Sequence, residues 1–264
     1  MSYIKTRGFV LRTVSYGENR RLLEILAQSG KLYTVSAKKS SKMNVINALS
    51  QPFVLADWEL FEQKNRIYFR GGNLVYAYQE FLKDWDKMSA ASHLAQVFCD
   101  ALRHQAGMPQ AYELWAYSSY RIALSEDPLL EVRVAQLRFM ADLGFCPQLT
   151  YCQSCGAREA DYWTFLPETG SVICSRLACQ DKHRGYRNIF FSKGLQAALL
   201  YVINSPYNDL FKFRLSAKVR EEFINFSDVY LREVMEKDYQ GLDFTETLEK
   251  FASRVFDGAI KDKE

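Results

Sequence analysis

Cys152-Gln-Ser-Cys155 and Cys174-Ser-Arg-Leu-Ala-Cys179 bracket the stretch that decides how the second half of this 264-residue chain folds, and together they contain four of its six cysteines. Two thiolates separated by two residues can bind one metal ion from a single tight turn. A second pair brought back by a hairpin completes the tetrahedral shell that Zn²⁺ prefers. The spacing therefore predicts a structural zinc knuckle over about residues 147–190, with these four cysteines as ligands.

The second cysteine pair leaves alternatives open. Its four-residue spacing is wider than the usual two, although it lies within the range of zinc ligands, and His183 is close enough to replace Cys179 as the fourth ligand. Two disulfides would need an oxidising compartment. The N-terminal Met-Ser-Tyr-Ile-Lys-Thr has no apolar segment for export, so we expect a cytoplasmic protein with reduced thiols. Catalytic zinc is disfavoured because four cysteines leave no open position for water.

Composition and charge narrow the class of protein. With 48% hydrophobic and 25% charged residues, and no run of eighteen apolar residues, the chain has the composition of a soluble globular protein with no membrane span. The net charge is +3, but residues 1–78 contain twelve lysines and arginines against five acids, or +7. The remainder is therefore −4, so a polyanionic partner is expected at the first third.

The sequence pattern of residues 4–78 predicts five β-strands. Glycine-containing Gln28-Ser-Gly30 fits a hairpin turn, and the Gly71-Gly72 pair fits a bulge where a small barrel bends. Tyr33, Val35 and Ala37 alternate with polar neighbours, as expected for a half-buried strand. The predicted strands are Ile4–Val14, Arg21–Ala27, Lys31–Ala37, Phe53–Phe61 and Arg66–Tyr76. Five short strands with a positive surface predict an OB-type β-barrel over residues 1–79.

The polar loop Lys38-Lys-Ser-Ser-Lys-Met43 has two interpretations, a solvated basic loop or a phosphate-binding loop. The other cations of the first third favour the second, because ammonium and hydroxyl groups both pair with phosphate oxygens. The predicted DNA-binding residues are Arg12, Arg20, Arg21, Lys31, Lys38, Lys39, Lys42 and Arg66. Four barrel aromatics are candidates either for base stacking or for the core: Tyr16, Tyr33, Tyr68 and Phe69.

From residue 80 the apolar period becomes helical, which predicts an all-helical domain over residues 80–264 with the four-cysteine zinc knuckle inserted. Asp127-Pro128 and Ser192 fit helix starts, whereas Gly144 fits a helix end. Apolar stripes are predicted along the chain: Phe81, Trp85, Met88, Ser92, Ala95, Cys99 and Leu102; then Leu114, Tyr117, Tyr120 and Leu124; then Leu130, Val134, Leu137 and Ala141; then Leu195, Ala198, Leu199 and Val202; and later Val219, Phe223, Phe226, Tyr230 and Val234. A last helix is expected around Leu248, Phe251 and Val255. His93 and His104 are isolated, and the sequence contains no glycine-rich phosphate loop and no paired-carboxylate motif, so an enzyme is not indicated.

The order of these parts resembles the bacterial RecO family of recombination mediators. The resemblance rests on the cysteine cluster and on four short motifs, which are Gly8-Phe-Val-Leu-Arg-Thr-Val-Ser-Tyr-Gly-Glu18, Gln51-Pro-Phe53, Gly71-Gly-Asn-Leu-Val75 and Leu143-Gly-Phe-Cys-Pro147. It implies a non-enzymatic protein that binds single- and double-stranded DNA, anneals complementary strands, and acts with RecR to help RecA load onto DNA coated by the single-stranded DNA-binding protein SSB.

The resemblance also implies a contact for the acidic C-terminal tail of SSB. Arg133, in the helix ahead of Leu143-Gly-Phe145, is the matching arginine and is either that contact or an ordinary solvated helix residue. Ala37-Lys-Lys-Ser40 departs from the family's Ala-Lys-Gly-Ala stretch because it lacks the glycine. Two other functions remain open from the residues alone: an OB-fold module that binds RNA or a protein, and a zinc hydrolase or nuclease.

Overall fold

Five strands form a closed sheet at the start of the chain. In the computed structural model, which describes residues 2–38 and 45–239 apart from the side chain of Phe191, the sheet order is β1-β2-β3-β5-β4, and β4 pairs back onto β1. All pairings are antiparallel except β3 with β5. The strands are β1 (Ser2–Tyr16), β2 (Arg20–Ala27), β3 (Leu32–Lys38), β4 (Leu55–Gln63) and β5 (Arg66–Tyr76). All five predicted strands are therefore present.

Alternating side chains fill the interior of this sheet. Val35 and Ala37 are buried whereas Thr34 and Lys38 are exposed, as the sequence pattern predicted. The Nε1 atom of buried Trp58 donates a hydrogen bond to the carbonyl oxygen of Gly8, 3.0 Å away. A short helix that was not predicted, α1 (Val45–Leu49), contributes two residues to the same core. The pairing of β4 with β5 slips between Glu59 and Leu60, opposite Gly71, which confirms the predicted bulge.

The helical part is built around α4. Its long helices are α2 (Trp85–Leu102), α3 (Pro109–Leu124), α4 (Pro128–Asp142), α6 (Lys193–Asn204) and α7 (Ala217–Met235). The side chain of Asp127 caps α4 and that of Ser192 caps α6, so both predicted helix starts are confirmed. Helix α4 contacts α2, α3, α6 and α7, and an unbroken run from Glu131 to Leu137 is buried. The predicted last helix lies outside the described residues.

Two predicted apolar stripes are wrong in part. Trp85 is 73% exposed and Ser92 also faces solvent, because α2 buries its alanine-rich face and Leu94, Val97 and Phe98 instead. On α3 the buried face includes Leu114 and Trp115, while the other predicted members of that stripe are exposed: Tyr117, Tyr120 and Leu124. The α7 stripe is confirmed at Phe223, Phe226 and Tyr230. Cys99 is buried, as expected for a core thiol.

The cysteine-rich segment forms a small sheet rather than a bare loop. Strands β6 (Trp163–Leu166) and β7 (Ser171–Cys174) make the predicted hairpin, and β8 (Ile189–Phe191) pairs with the other edge of β6. A five-residue helix, α5 (Leu177–Asp181), follows β7. In the predicted second domain, the described elements on either side of the knuckle are helices, as predicted, whereas the knuckle itself contains a third strand, β8, that was not predicted. Phe165 of β6 packs on Phe226 of α7, with ring centroids 4.7 Å apart.

The closed sheet and the helices share buried contacts. Phe9 and Phe53, from the sheet side, both pack against Trp115 of α3. Gly30, in the β2–β3 turn, lies so close to Met108 that an added Cβ would sit 1.9 Å from its backbone. The predicted domain boundary between residues 79 and 80 falls between the end of β5 at Tyr76 and the start of α2 at Trp85. That boundary stays a prediction. In the described part of the chain, no helix is both long and apolar enough to cross a membrane.

Candidate metal centre and nucleic-acid interface

Four cysteine sulphurs converge between β7, α5 and the turn that precedes β6. The ligand atoms of Cys152, Cys155, Cys174 and Cys179 all lie within 4.8 Å of one another, and no other group of this kind occurs in the described ranges. The first pair is held by a tight turn in which the amide of Cys152 donates to the oxygen of Ala157 and the amide of Gly156 donates to the oxygen of Cys152. Gly156 has a φ of 73°, which glycine adopts without strain.

The second pair reaches the same point by a different route. Cys174 is the last residue of β7, and Cys179 lies in the first turn of α5. The start of this helix therefore accounts for the four residues between the two cysteines, a wider spacing than the common two. The side-chain amide of Gln180 donates to the oxygen of Cys174 at 2.9 Å, and this bond holds α5 against the strand. The structure thus places Cys179 with the other three sulphurs.

The sulphur positions fit a tetrahedral ion. Sulphurs placed about 2.3 Å from a central Zn²⁺ in a tetrahedron are roughly 3.8 Å from each other. The Sγ atoms of Cys155 and Cys174 are 3.7 Å apart, which is also far beyond the roughly 2.05 Å of a disulfide bond. All four thiols are free. The group is therefore arranged to hold a metal ion with four sulphur ligands.

The protein environment shifts the pKa values of three of these thiols in different directions. A hydrogen bond with the backbone of Ala157 lowers the pKa of Cys155 to about 7. Burial raises the pKa of Cys174, and burial raises that of Cys179 to about 12. A bound divalent cation stabilises thiolates strongly enough to overcome the cost of burying their charge. Metal binding here would therefore release protons from Cys174 and Cys179.

His183 lies beside the cluster without joining it. Its Nε2 atom is 2.9 Å from the hydroxyl oxygen of Ser154, and its ring packs edge-on against Tyr186 at 5.4 Å. Ser154 belongs to the first cysteine turn and His183 follows α5, so their hydrogen bond joins the two halves of the site. The sequence did not indicate this role, because the histidine spacing resembled that of a ligand.

A groove of about 440 Å³ crosses the outer face of the closed sheet. It is lined by residues of β1, β2, β3 and β5 and of the turn that precedes β5: Tyr16, Arg20, Leu22, Thr34, Ser36, Asn65, Arg66, Ile67 and Tyr68. Lys38 is the cross-strand partner of Arg20, which in turn faces Tyr16, so all three side chains project from one face. Among the described residues, no carboxylate lies within ion-pair distance of Arg20, Lys38 or Arg66.

The other predicted DNA-binding cations are dispersed. Arg12 lies opposite Glu24, in a cleft between β1 and α2. Arg21 is half-buried and donates to the side-chain oxygen of Asn47 at 3.3 Å. Lys31 lies over the ring of Tyr33, at the far end of β3 from Lys38. The DNA contacts of these residues stay predictions, and Lys39 and Lys42 lie outside the described residues.

The four aromatic candidates separate into two pairs. Tyr33 and Phe69 pack against the sheet interior, with Phe69 6.2 Å from Trp58. Tyr16 and Tyr68 line the groove, where Tyr68 stacks on Phe61 at 5.1 Å. Only the second pair is therefore placed where a base could reach it. Counting the strand register outward from the Gln28–Gly30 turn would have paired Arg20 with Lys38 from the sequence.

Arg133 is buried in the helical core. It is 6% exposed, and its Nη2 atom lies 2.8 Å from the Oδ1 atom of Asp228. Its Nη1 atom also donates to Gln136 at 3.0 Å. The interpretation as a solvated helix arginine is therefore wrong, because α4 is surrounded by other helices. Asp228 therefore already occupies the place beside Nη2 that a partner's carboxylate would take.

Comparison with known proteins identifies the family. The family model described as "Recombination protein O N terminal" matches residues 1–78, and "Recombination protein O C terminal" matches residues 82–242. The DNA repair protein RecO of Acetivibrio thermocellus is 27% identical over 254 residues, which cover 95% of this chain and 99% of that protein. The protein of the same name from a Thermoanaerobacter species is 28% identical, over 94% of this chain and 99% of its own. Because the C-terminal family model alone spans more than half of the sequence, this chain belongs to the recombination protein O family.

Proposed function

We propose that this chain is a DNA-binding recombination mediator that acts in DNA repair. The observation that carries the proposal is the groove lined by Arg20 and Arg66 together with Tyr16 and Tyr68, with Lys38 as the cross-strand neighbour of Arg20. Guanidinium and ammonium groups pair with phosphates and release counterions, and aromatic rings offer faces on which bases of any sequence can stack. Family membership and the names of the relatives support the same role.

The position of the groove supports an OB-type barrel. OB folds bind nucleic acid on the face of strands 2 and 3 and with the loops between strands 1 and 2 and between strands 4 and 5. Arg20 and Leu22 lie on β2, Thr34 and Ser36 on β3, and Asn65 between β4 and β5. These are the elements that an OB-type barrel would use.

In this proposal the chain binds single- and double-stranded DNA and anneals complementary strands. A cationic face lowers the repulsion between two phosphate backbones while the bases stay free to pair. We further propose, from the family resemblance, that RecR is its partner and that the pair helps RecA to load onto DNA covered by SSB. No bond is made or broken by the protein itself.

We propose Zn²⁺ as the metal of the four-cysteine site, in a structural role. Four thiolates suit Zn²⁺ and leave no position for a reacting water, so this site would hold the fold rather than perform chemistry. Replacing one ligand, as in Cys152→Ser, is expected to release the metal and to destabilise the segment from Cys152 to β8. Metal analysis together with thermal unfolding of the variant checks this role.

The test of the function is strand annealing, measured with and without SSB on the DNA, together with salt titrations of binding to single- and double-stranded DNA. The proposal predicts annealing in both conditions and an affinity that falls steeply with salt. Absence of DNA affinity at low salt would exclude the mediator function. Tight binding to RNA or to a protein in its place would favour an OB-fold module of another kind.

A further inference from the structure

A second cationic and aromatic surface lies on the cysteine-rich segment. The sequence from residue 182 reads Lys182-His-Arg184-Gly-Tyr186-Arg187-Asn-Ile-Phe190, in which cations alternate with rings. Lys182 and Arg184 are exposed, and the rings of Tyr186 and Phe190 face solvent at 46% and 64% of their area. We call residues 182–190 the knuckle surface.

The local charge differs from that of its surroundings. The chain beyond residue 78 has a net charge of −4, yet residues 176–190 contain four cations and one acid, Asp181. Arg184 lies 3.0 Å from Asp181, but both are exposed, so this pair holds Arg184 only weakly. Arg176 faces the sulphur of Cys155 at 3.8 Å and would offset the charge of the metal site. Lys182 and Arg184 therefore remain for an outside anion.

The knuckle surface is fixed at both ends. Hydrogen bonds from Gln180 to Cys174 and between His183 and Ser154 anchor its start. At its end Phe190 pairs with Thr164 across β8 and β6, and its ring lies 5.9 Å from that of Tyr162. A surface that is already ordered loses little conformational entropy when it binds a ligand.

The knuckle surface is separate from the groove of the closed sheet. The sheet packs on the helices through Phe9 and Phe53 against Trp115 of α3. The knuckle sheet packs instead through Phe165 against Phe226 and Tyr230 of α7. The two sheets that carry the cationic surfaces therefore pack against different helices of one molecule.

We propose that the knuckle surface is a second binding site for single-stranded DNA, with Lys182 and Arg184 on phosphates and Tyr186 and Phe190 against bases. One chain then holds a strand in the groove and another on the knuckle surface, which brings two complementary strands together on one molecule. This inference rests on the proposed DNA-binding function.

The test counts the short oligothymidylates bound by each full-length, zinc-loaded chain, by native mass spectrometry. Three double variants are compared, each with the same change in charge: Lys182→Glu/Arg184→Glu on the knuckle surface, Arg20→Glu/Arg66→Glu in the groove, and Arg214→Glu/Lys218→Glu as an exposed control. We expect the wild type and the control to bind a second oligonucleotide and the knuckle variant to bind only the first. The neutral variant Lys182→Gln/Arg184→Gln, which adds no repulsion, should lose the second oligonucleotide as well.

A wild type that saturates with one oligonucleotide overturns this inference alone, and so does a knuckle variant that matches the control. A wild type that binds none overturns the DNA-binding function and this inference together. Zinc content is measured for every variant, so that loss of the knuckle fold is distinguished from loss of the contact.

Discussion

At the scale of single residues, the helical core contains a polar network that joins three helices. His93 of α2 and Arg133 of α4 both reach the side-chain oxygen of Gln136, at 3.1 Å and 3.0 Å. Gln136 donates in turn to the carbonyl oxygen of Ser227 in α7 at 2.6 Å, and Arg133 pairs with Asp228 of the same helix. A buried network of this kind favours one alignment of its helices, because any other leaves polar groups unpaired.

His93 makes the stability of this network depend on pH. Burial, with a smaller contribution from the charge of Arg133, lowers the pKa of His93 from 6.5 to about 4. Above pH 6.5 the imidazole is neutral in both states. Between pH 6.5 and 4 only the unfolded chain gains the proton, so the free energy of unfolding falls as the pH falls, by about 3 kcal/mol from this group.

Denaturant unfolding from pH 7 to 4 checks the effect of His93. The variant His93→Gln is expected to show a smaller loss of stability over this range than the wild type. The control His104→Gln, at an exposed position, should follow the wild type. An unchanged pH dependence in His93→Gln would show that another group is responsible.

His183 is expected to position the metal site rather than to bind the ion. The variant His183→Ala removes the hydrogen bond to Ser154 and should weaken metal affinity by about tenfold, as is common when a group that orients ligands is lost. Replacing the metal with Co²⁺ gives an absorption spectrum that reports the ligand atoms. The spectrum should stay that of a four-sulphur site in this variant and change in Cys179→Ser. A changed spectrum in His183→Ala would make the imidazole a ligand.

At the scale of elements, glycines of β5 show where the closed sheet has no room. A Cβ added at Gly72 would lie 2.6 Å from the carbonyl oxygen of Asp57, whereas at Gly71 the nearest atom is the flexible Glu59 carboxylate at 3.6 Å. We expect Gly72→Ala to lower the free energy of unfolding by about 1–3 kcal/mol, because the strand backbone must shift. Gly71→Ala is the matched control and should stay within about 0.5 kcal/mol of the wild type. Urea unfolding of both variants measures this difference. Equal decreases in the free energy of unfolding would contradict the packing argument.

A helix or strand could be predicted from the sequence where its alternation of apolar and polar residues was long and marked one buried face. The five strands, the caps at Asp127 and Ser192 and the hairpin before Cys174 all follow from the sequence. Helix α1 and strand β8 have only five and three residues, too few to establish a period. Helix α4 is packed by other helices on all sides, so even its polar residues Glu131, Arg133 and Gln136 are buried. Polar residues normally mark the solvent face of a helix, and here they do not. This is why the burial of Arg133 could not be predicted.

At the scale of the whole molecule, the charge of the first third indicates a cationic region but not which of its cations share a face. Lys5 and Arg7 pair with Glu59 and Asp57 across β1 and β4, so part of the positive charge is neutralised locally. Strand register decides which cations share a face, and it brings Arg20 to Lys38. Composition contains no information on register, so it could not show that Arg12 and Lys31 lie away from the groove. Their DNA contacts stay predictions.

The central claim is that DNA binds in the groove of the closed sheet. The most direct measurement is the salt dependence of affinity for single-stranded DNA in Arg20→Glu/Arg66→Glu, compared with Arg214→Glu/Lys218→Glu. If the claim is right, the groove variant binds at least about tenfold more weakly and its salt slope falls by roughly 1.4, the value expected for two lost phosphate contacts. The control should keep the slope of the wild type. Equal slopes for the groove variant and the wild type would contradict the claim.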